Sequence, residues 1–199
     1  MKAPRLLFAV CAALALSLTP APADESHFKI FGATSYVSPL GENDVSIGGV
    51  RDSVKASNKL GWDFGLEDRF NRFAGLEIDY VNATNDVRFG GHTIGDVELK
   101  PLSVTLDFHV IPTHFIDLYV GPTASYFLKG DAHLKPSGDV TTDGKLAWGV
   151  SAGLEIGLGR TFAVIGGVRW VKVDLEVRDT STKLPVDPLF SRLGVAFRF

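Results

Sequence analysis

Between Lys100 and Leu128 hydrophobic and polar residues alternate in two arms. Leu102, Val104, Leu106, Phe108 and Val110 share one parity, and Ser103, Thr105, Asp107 and His109 share the other. A period of two sets such groups on opposite faces of a strand. Ile111-Pro112-Thr113-His114 interrupts the run, because proline cannot donate to a ladder. The second arm resumes with Leu118, Val120, Ala124, Tyr126 and Leu128 against Asp117, Tyr119, Thr123 and Ser125. Each arm has roughly ten residues, the span of a tilted strand across a bilayer. The stretch predicts a hairpin with one apolar face.

The same pattern recurs along the chain. A first strand is predicted over Phe28 to Val37, with either face possible as the inner one. Asn58 to Phe70 sets Leu60, Trp62, Phe64 and Leu66 against Gly61, Asp63, Gly65 and Glu67, and a turn at Asp68 to Arg72 follows. Phe73 to Thr84 sets Ala74, Leu76, Ile78 and Tyr80 against Gly75, Glu77 and Asp79. Gly144 to Leu158 sets Leu146, Trp148, Val150, Ala152, Leu154 and Ile156 against Ala147, Gly149, Ser151, Gly153 and Glu155. After a tight turn at Gly159-Arg160, Thr161 to Val177 points Phe162, Val164, Val168 and Trp170 outward and Ala163, Gly167 and Arg169 inward, with a change of phase expected after Lys172. Leu189 to Phe199 ends the chain, with Leu193, Val195, Phe197 and Phe199 against Arg192, Gly194, Ala196 and Arg198.

This makes eight strands. Polar, glycine-bearing stretches over 38–57, 85–98, 129–143 and 178–188 read as long loops, and they alternate with short turns. Long external loops alternating with tight periplasmic turns mark outer-membrane barrels. Alternation by itself also fits a soluble barrel. Beside the loop rhythm, three features favour lipid: a polar face mixing Gly, Ala and Ser with carboxylates and arginines, aromatics toward strand ends as interfacial girdles require, and an alternating last strand that ends on Phe199. The girdle candidates are Trp62, Tyr80, Phe108, Tyr126, Trp148 and Trp170. The expected fold is all-β, an eight-stranded antiparallel up-and-down transmembrane β-barrel.

The start of the chain changes the picture from a barrel to an exported barrel. Lys2 and Arg5 precede an apolar run over Leu6 to Leu18, and Ala21-Pro22-Ala23 is a cleavage site of the A-x-A kind, so residues 1–23 read as a signal peptide and 24–199 as the barrel domain. The lone cysteine, Cys11, lies within that leader, which leaves the mature chain without a disulfide or a thiol nucleophile. Without Lys2 and Arg5 the chain keeps 18 basic residues against 23 acidic ones, a net charge near −5, which argues against nucleic acid as a partner. No apolar run after residue 23 approaches the ~18 residues of a spanning helix.

The segments YVSP (36–39), PLSVTLDFHV (101–110), DLYVGPTASYF (117–127) and VDPLFSRLGVAFRF (186–199) resemble the OmpW family of eight-stranded outer-membrane proteins, over nearly all of the mature chain. The resemblance implies a monomeric barrel in the outer membrane with a narrow lumen, associated with movement of small, often apolar, molecules and with stress responses. It further implies that the last strand, with Phe197 and Phe199, is the signal read by the outer-membrane insertion machinery. The functional expectation is a narrow channel for small apolar or amphipathic molecules, in contact with outer-membrane lipid. The alternative is a non-conducting structural or adhesive barrel, its lumen plugged and its external loops binding ligands or surfaces.

The inward charges carry the strongest chemical signal. Asp63, Glu67, Glu77, Asp79, Asp107 and Glu155 are placed to meet Arg169, Arg192 and Arg198, either as a plug of partnered charges or as a selectivity constriction. His109, beside Asp107, reads as a satisfied lumen histidine or a pH-responsive group. His27, His92, His114 and His133 lack ligand spacing, so no metal site and no cofactor are expected. Gly138 and Gly144-Lys145-Leu146 fail the phosphate-loop pattern, which needs Ser or Thr at the last position. Asn82-Ala83-Thr84 matches a glycosylation sequon, which carries little weight if the source is bacterial. Catalysis is not expected either, since no outward face carries a Ser and a His at the spacing that a lipid-modifying triad needs. Pro122 stands alone: inside a closed wall it removes a ladder hydrogen bond that lipid cannot replace, which marks Gly121, Pro122 and Ala124 as a candidate lateral opening.

Overall fold

A strand crossing lipid must find every backbone partner in a neighbouring strand, and only closure removes the last edge. The computed structural model describes residues 28–40, 43–47, 50–56, 59–89, 92–128, 131–134, 138–141, 144–176 and 183–199. The leader, Cys11 and His27 lie outside them. The strands are β1 (Phe28–Pro39), β2 (Asn43–Ile47), β3 (Val50–Ala56), β4 (Lys59–Asn71), β5 (Ala74–Phe89), β6 (His92–Leu99), β7 (Pro101–Pro112), β8 (Ile116–Phe127), β9 (Asp131–Leu134), β10 (Gly138–Thr141), β11 (Lys145–Gly157), β12 (Phe162–Glu176), β13 (Lys183–Val186) and β14 (Pro188–Arg198).

Eight of these form a closed ring of antiparallel neighbours: β1, β4, β5, β7, β8, β11, β12, β14 and back to β1. The closing ladder runs from Lys29↔Arg198 to Pro39↔Pro188 without a break. The eight-stranded up-and-down barrel read from the alternation is therefore the fold. Outward residues such as Leu60, Phe64, Val110, Leu146, Trp148, Val150, Leu193 and Val195 remain largely exposed. An apolar surface of this extent fits contact with acyl chains and not with water.

Three tight turns close one end. At residues 72–73 the Asn71 side-chain oxygen accepts from the backbone N–H groups of Phe73 (2.8 Å) and Ala74 (3.1 Å). At 113–115 the Ile116 N–H donates to the Thr113 hydroxyl (2.9 Å). At 158–161 Gly159 adopts φ +98°, a left-handed conformation that favours glycine. The first two turns are shorter than the sequence suggested, and the third is longer than the Gly159-Arg160 pair expected there, since β11 ends at Gly157 and β12 begins at Phe162. β4 runs on through Asp68, Arg69 and Phe70, and β7 runs through Ile111 and Pro112, because backbone pairing continues regardless of the side chain.

The opposite end departs further from expectation. Within the stretches read as long loops, β2 pairs β3, β3 and β6 pair the upper part of β5, β9 pairs β6 and β10, and β13 pairs β12. The wall thus continues beyond the apolar band. The sequences of these strands mix polar residues and glycine without the sustained alternation of the barrel strands. The expected change of phase after Lys172 also does not occur: Val171 and Val173 are buried inward and Lys172 is exposed. What changes there is the chemistry of the inner face.

A charged plug beneath an apolar layer as candidate functional site

The inner face is built in layers. At the loop end, Val37, Val81, Ala83, Leu99, Phe127, Ala147, Val171, Val173 and Phe190 turn inward and pack together. Below them, toward the tight turns, polar and charged side chains fill most of the interior, beside a small apolar patch of Phe31, Ala163, Ile165 and Ala196. An eight-stranded barrel leaves an interior only wide enough for side chains, so these layers fill it. A cavity of about 10 Å³, room for about one water, remains beside Asp63, Ser151, Arg169 and Arg192.

The upper charged cluster centres on Glu77. Arg192 donates to both its oxygens (2.8 and 2.7 Å), and Arg169 donates to Oε1 (3.2 Å). Arg169 also holds Asp79 through both Nη atoms, at 2.6 and 2.5 Å. Arg192 donates to the Tyr119 hydroxyl (3.0 Å), lies 3.9 Å from Asp63 and stacks on Phe31, 4.7 Å from the ring centre. Such fork geometry is what the guanidinium supplies and an ammonium does not.

The lower cluster joins strands on all sides of the barrel. Lys29 pairs with Glu67 and donates to Glu155 Oε2 at 2.9 Å. Arg69 donates to Glu67 (3.1 Å) and pairs with Asp117. Arg198 pairs with Glu155 and donates to the His114 carbonyl (3.1 Å). His109 places Nδ1 2.9 Å from Asp117 Oδ1, and Nε2 2.9 Å from Glu67 Oε1 but off the N–H direction. His109 therefore does not serve Asp107, its neighbour on the same face. Asp107 has zero exposure, and neither of its oxygens has a hydrogen-bond partner.

The structure thus brings Asp63, Glu67, Glu77, Asp79, Asp107, His109, Glu155, Arg169, Arg192 and Arg198 into one interior. Lys29, Arg69, Asp117 and Tyr119 belong to it as well and were not among the sequence candidates. Lys29 was hidden by the ambiguous phase of β1, and Arg69 by its assignment to a turn. Both share the inward parity of a neighbour, Phe31 for Lys29 and Glu67 for Arg69. Among the girdle candidates, Trp62, Phe108, Tyr126 and Trp148 are exposed on the outer face, and Tyr80 and Trp170 are partly covered there. Trp148 meets Trp170 edge to face at 6.2 Å, and Trp62 meets Tyr80 at 5.5 Å. Phe199 contacts Phe197 and Phe28 at 4.7 and 5.8 Å.

Inside the wall, β7 and β8 are joined by hydroxyl rungs, Ser103 to Ser125 and Thr105 to Thr123, each 2.9 Å. Their backbone ladder runs from Pro101↔Phe127 to Thr105↔Thr123 and resumes at Phe108↔Val120 in the same register. The positions skipped are Leu106 and Asp107 opposite Pro122 and Gly121. Pro122 has no N–H to offer Leu106. Gly121 admits the close approach of Leu106, since a Cβ there would lie 1.8 Å from the Leu106 carbonyl oxygen. On its other side Pro122 pairs normally with Val150.

Among curated proteins no sequence matches this chain. Its fold is similar to that of the outer membrane protein OprG from Pseudomonas aeruginosa, at 13% identity and TM-score 0.68, covering 87% of this chain and 96% of that one. It is similar to outer membrane protein AlkL, solved in DMPC bilayers, at 21% identity and TM-score 0.64, covering 91% and 93%. The Escherichia coli outer membrane protein W aligns at 14% identity and TM-score 0.53, covering 89% and 100%. These likenesses establish an OmpW-like eight-stranded barrel. The family model for the outer membrane protein beta-barrel domain matches residues 8–199. A closed ring with a lipid-facing exterior, a charged interior and that match over almost the whole length place the chain in the outer membrane protein beta-barrel domain family.

Proposed function

We propose that the barrel moves small apolar or amphipathic molecules across the outer membrane by a sideways route. The solute enters the apolar inner layer at the loop end and leaves through the wall between β7 and β8, at Gly121, Pro122 and Ala124. The observation that carries this reading is the skipped pairing of Leu106 and Asp107 with Pro122 and Gly121, midway along a wall strand. An axial exit would have to part the Glu77–Arg192 and Lys29–Glu155 pairs, and breaking one buried pair costs about 3–5 kcal/mol. Parting a wall that already lacks a hydrogen bond costs less. The role is passage without catalysis, by a monomer surrounded by outer-membrane lipid and delivered by the insertion machinery.

Replacing Pro122 with Val restores the missing donor. Flux of a small apolar solute into proteoliposomes should then fall while the barrel stays folded. Unchanged flux would refute the lateral route. The filled interior favours a second reading, a non-conducting barrel whose outer strands bind ligands or surfaces. Single-channel recording should show no ion conductance on either reading, so solute flux is what separates them.

A further inference from the structure

The backbone of Asp107 takes part in the skipped pairing, but its side chain has no role in the solute route. It is completely buried and has no hydrogen-bond partner on either oxygen. Transfer of an unpartnered carboxylate out of water is costly, and proteins avoid it by pairing or by metal binding. Asp107 does not stand alone: ligand-capable oxygens from Glu67, Glu77 and Asp107 all lie within 4.8 Å of one another. A cation held at 2.3–2.6 Å from oxygen spans such a triangle.

Charge accounting points the same way. The buried network holds seven carboxylates, from Asp63, Glu67, Glu77, Asp79, Asp107, Asp117 and Glu155. Against them stand five cationic side chains, Lys29, Arg69, Arg169, Arg192 and Arg198. His109 adds a sixth positive charge when both of its nitrogens carry protons, so the network is short of one or two positive charges. The shortfall sits at Asp107, since every other carboxylate has a cationic neighbour within 4 Å. The three converging groups are all carboxylates, and no cysteine is among the described residues, which favours a hard ion over zinc or copper.

We propose that Asp107, Glu67 and Glu77 form a site for one calcium-sized divalent cation, which ties β7 to β4 and β5 inside the barrel. Glu67 and Glu77 keep their present partners and share further lone pairs with the ion. The site is independent of the solute reading, and a failure of one leaves the other standing.

The test uses the full mature barrel refolded in detergent with CaCl2 or with EDTA, then desalted. Calcium content should be about one per wild-type chain and should fall to background in Asp107→Asn. Calcium should also raise the unfolding temperature of the wild type saturably, with little or no shift in the variant. If Asp107→Asn fails to fold, terbium on the wild type replaces it. Tyr119, in the same interior, should sensitise terbium emission, lifetimes in H2O and D2O should report few coordinated waters, and calcium should compete. Absence of saturable binding, equal binding by Asp107→Asn, or a fully hydrated terbium ion would each overturn the proposal. So would a wild type indifferent to calcium and no more stable than Asp107→Asn, the behaviour of a carboxyl neutralised by a proton instead of a metal.

Discussion

Glu77 is the residue whose loss should cost the barrel most. Its two oxygens take three charge-assisted hydrogen bonds, two from Arg192 at 2.8 and 2.7 Å and one from Arg169 at 3.2 Å. Glu77→Gln keeps the shape and removes the charge. Arg169 retains Asp79, but Arg192 is left with the Tyr119 hydroxyl and with Asp63 at 3.9 Å. Removing one partner of a buried pair typically costs 3–5 kcal/mol, because the remaining charge stays buried without compensation. Asp63 relieves part of this, so the expected loss is about 3 kcal/mol. The assay is equilibrium urea unfolding of the refolded barrel in detergent, followed by Trp fluorescence and by heat-dependent gel mobility, with EDTA present so that no divalent ion contributes. The double variant Glu77→Gln/Arg192→Met should recover most of the loss, since an apolar side chain of similar length replaces a buried pair at little or no cost. A loss below about 1 kcal/mol, the range of exposed pairs, would refute the reading of a dry, tightly coupled plug. A double variant no more stable than the single one would refute it as well.

Gly121→Ala should destabilise by more than the ~1–3 kcal/mol usual for overpacking, because its Cβ would meet backbone, 1.8 Å from the Leu106 carbonyl oxygen. Gly166→Ala is the matched control: its nearest neighbour is 3.9 Å away, so a change within about 0.5 kcal/mol is expected in the same thermal melt. Deleting Phe199 removes the Phe199 N–H to Phe28 carbonyl bond (2.9 Å) and two ring contacts at the closing seam. Outer-membrane yield should drop several-fold while refolding in detergent is largely kept, and normal insertion in cells would exclude the assembly role.

What the sequence made legible, and what it hid, follows from the solvents on the two faces of the wall. Where lipid lies outside and charges lie inside, as along Leu102 to Val110 or Ala74 to Tyr80, parity assigns each residue without ambiguity. Around Val171, Lys172 and Val173 the inner face turns apolar and an exposed lysine stands on the outer one. There the same rule reports a change of phase that the backbone never makes. Past the apolar band β2, β3, β6, β9, β10 and β13 are short and carry no sustained alternation, so they read as loops. The ion pairs were hidden for a different reason. Arg169 and Asp79 are 90 residues apart and Lys29 and Glu155 are 126 apart, and what brings them together is the stagger of eight ladders. Parity predicts which residues enter the lumen but not the height at which they meet. It therefore listed Asp107 beside His109 as neighbours on one face. It could not foresee that His109 would turn to Asp117 and Glu67 and leave the one carboxylate behind Gly121 and Pro122 without a partner. The skipped pairing and the unpartnered charge thus fall on the two sides of one residue, Asp107. Its backbone misses Gly121 in the ladder, and its side chain faces Glu67 and Glu77.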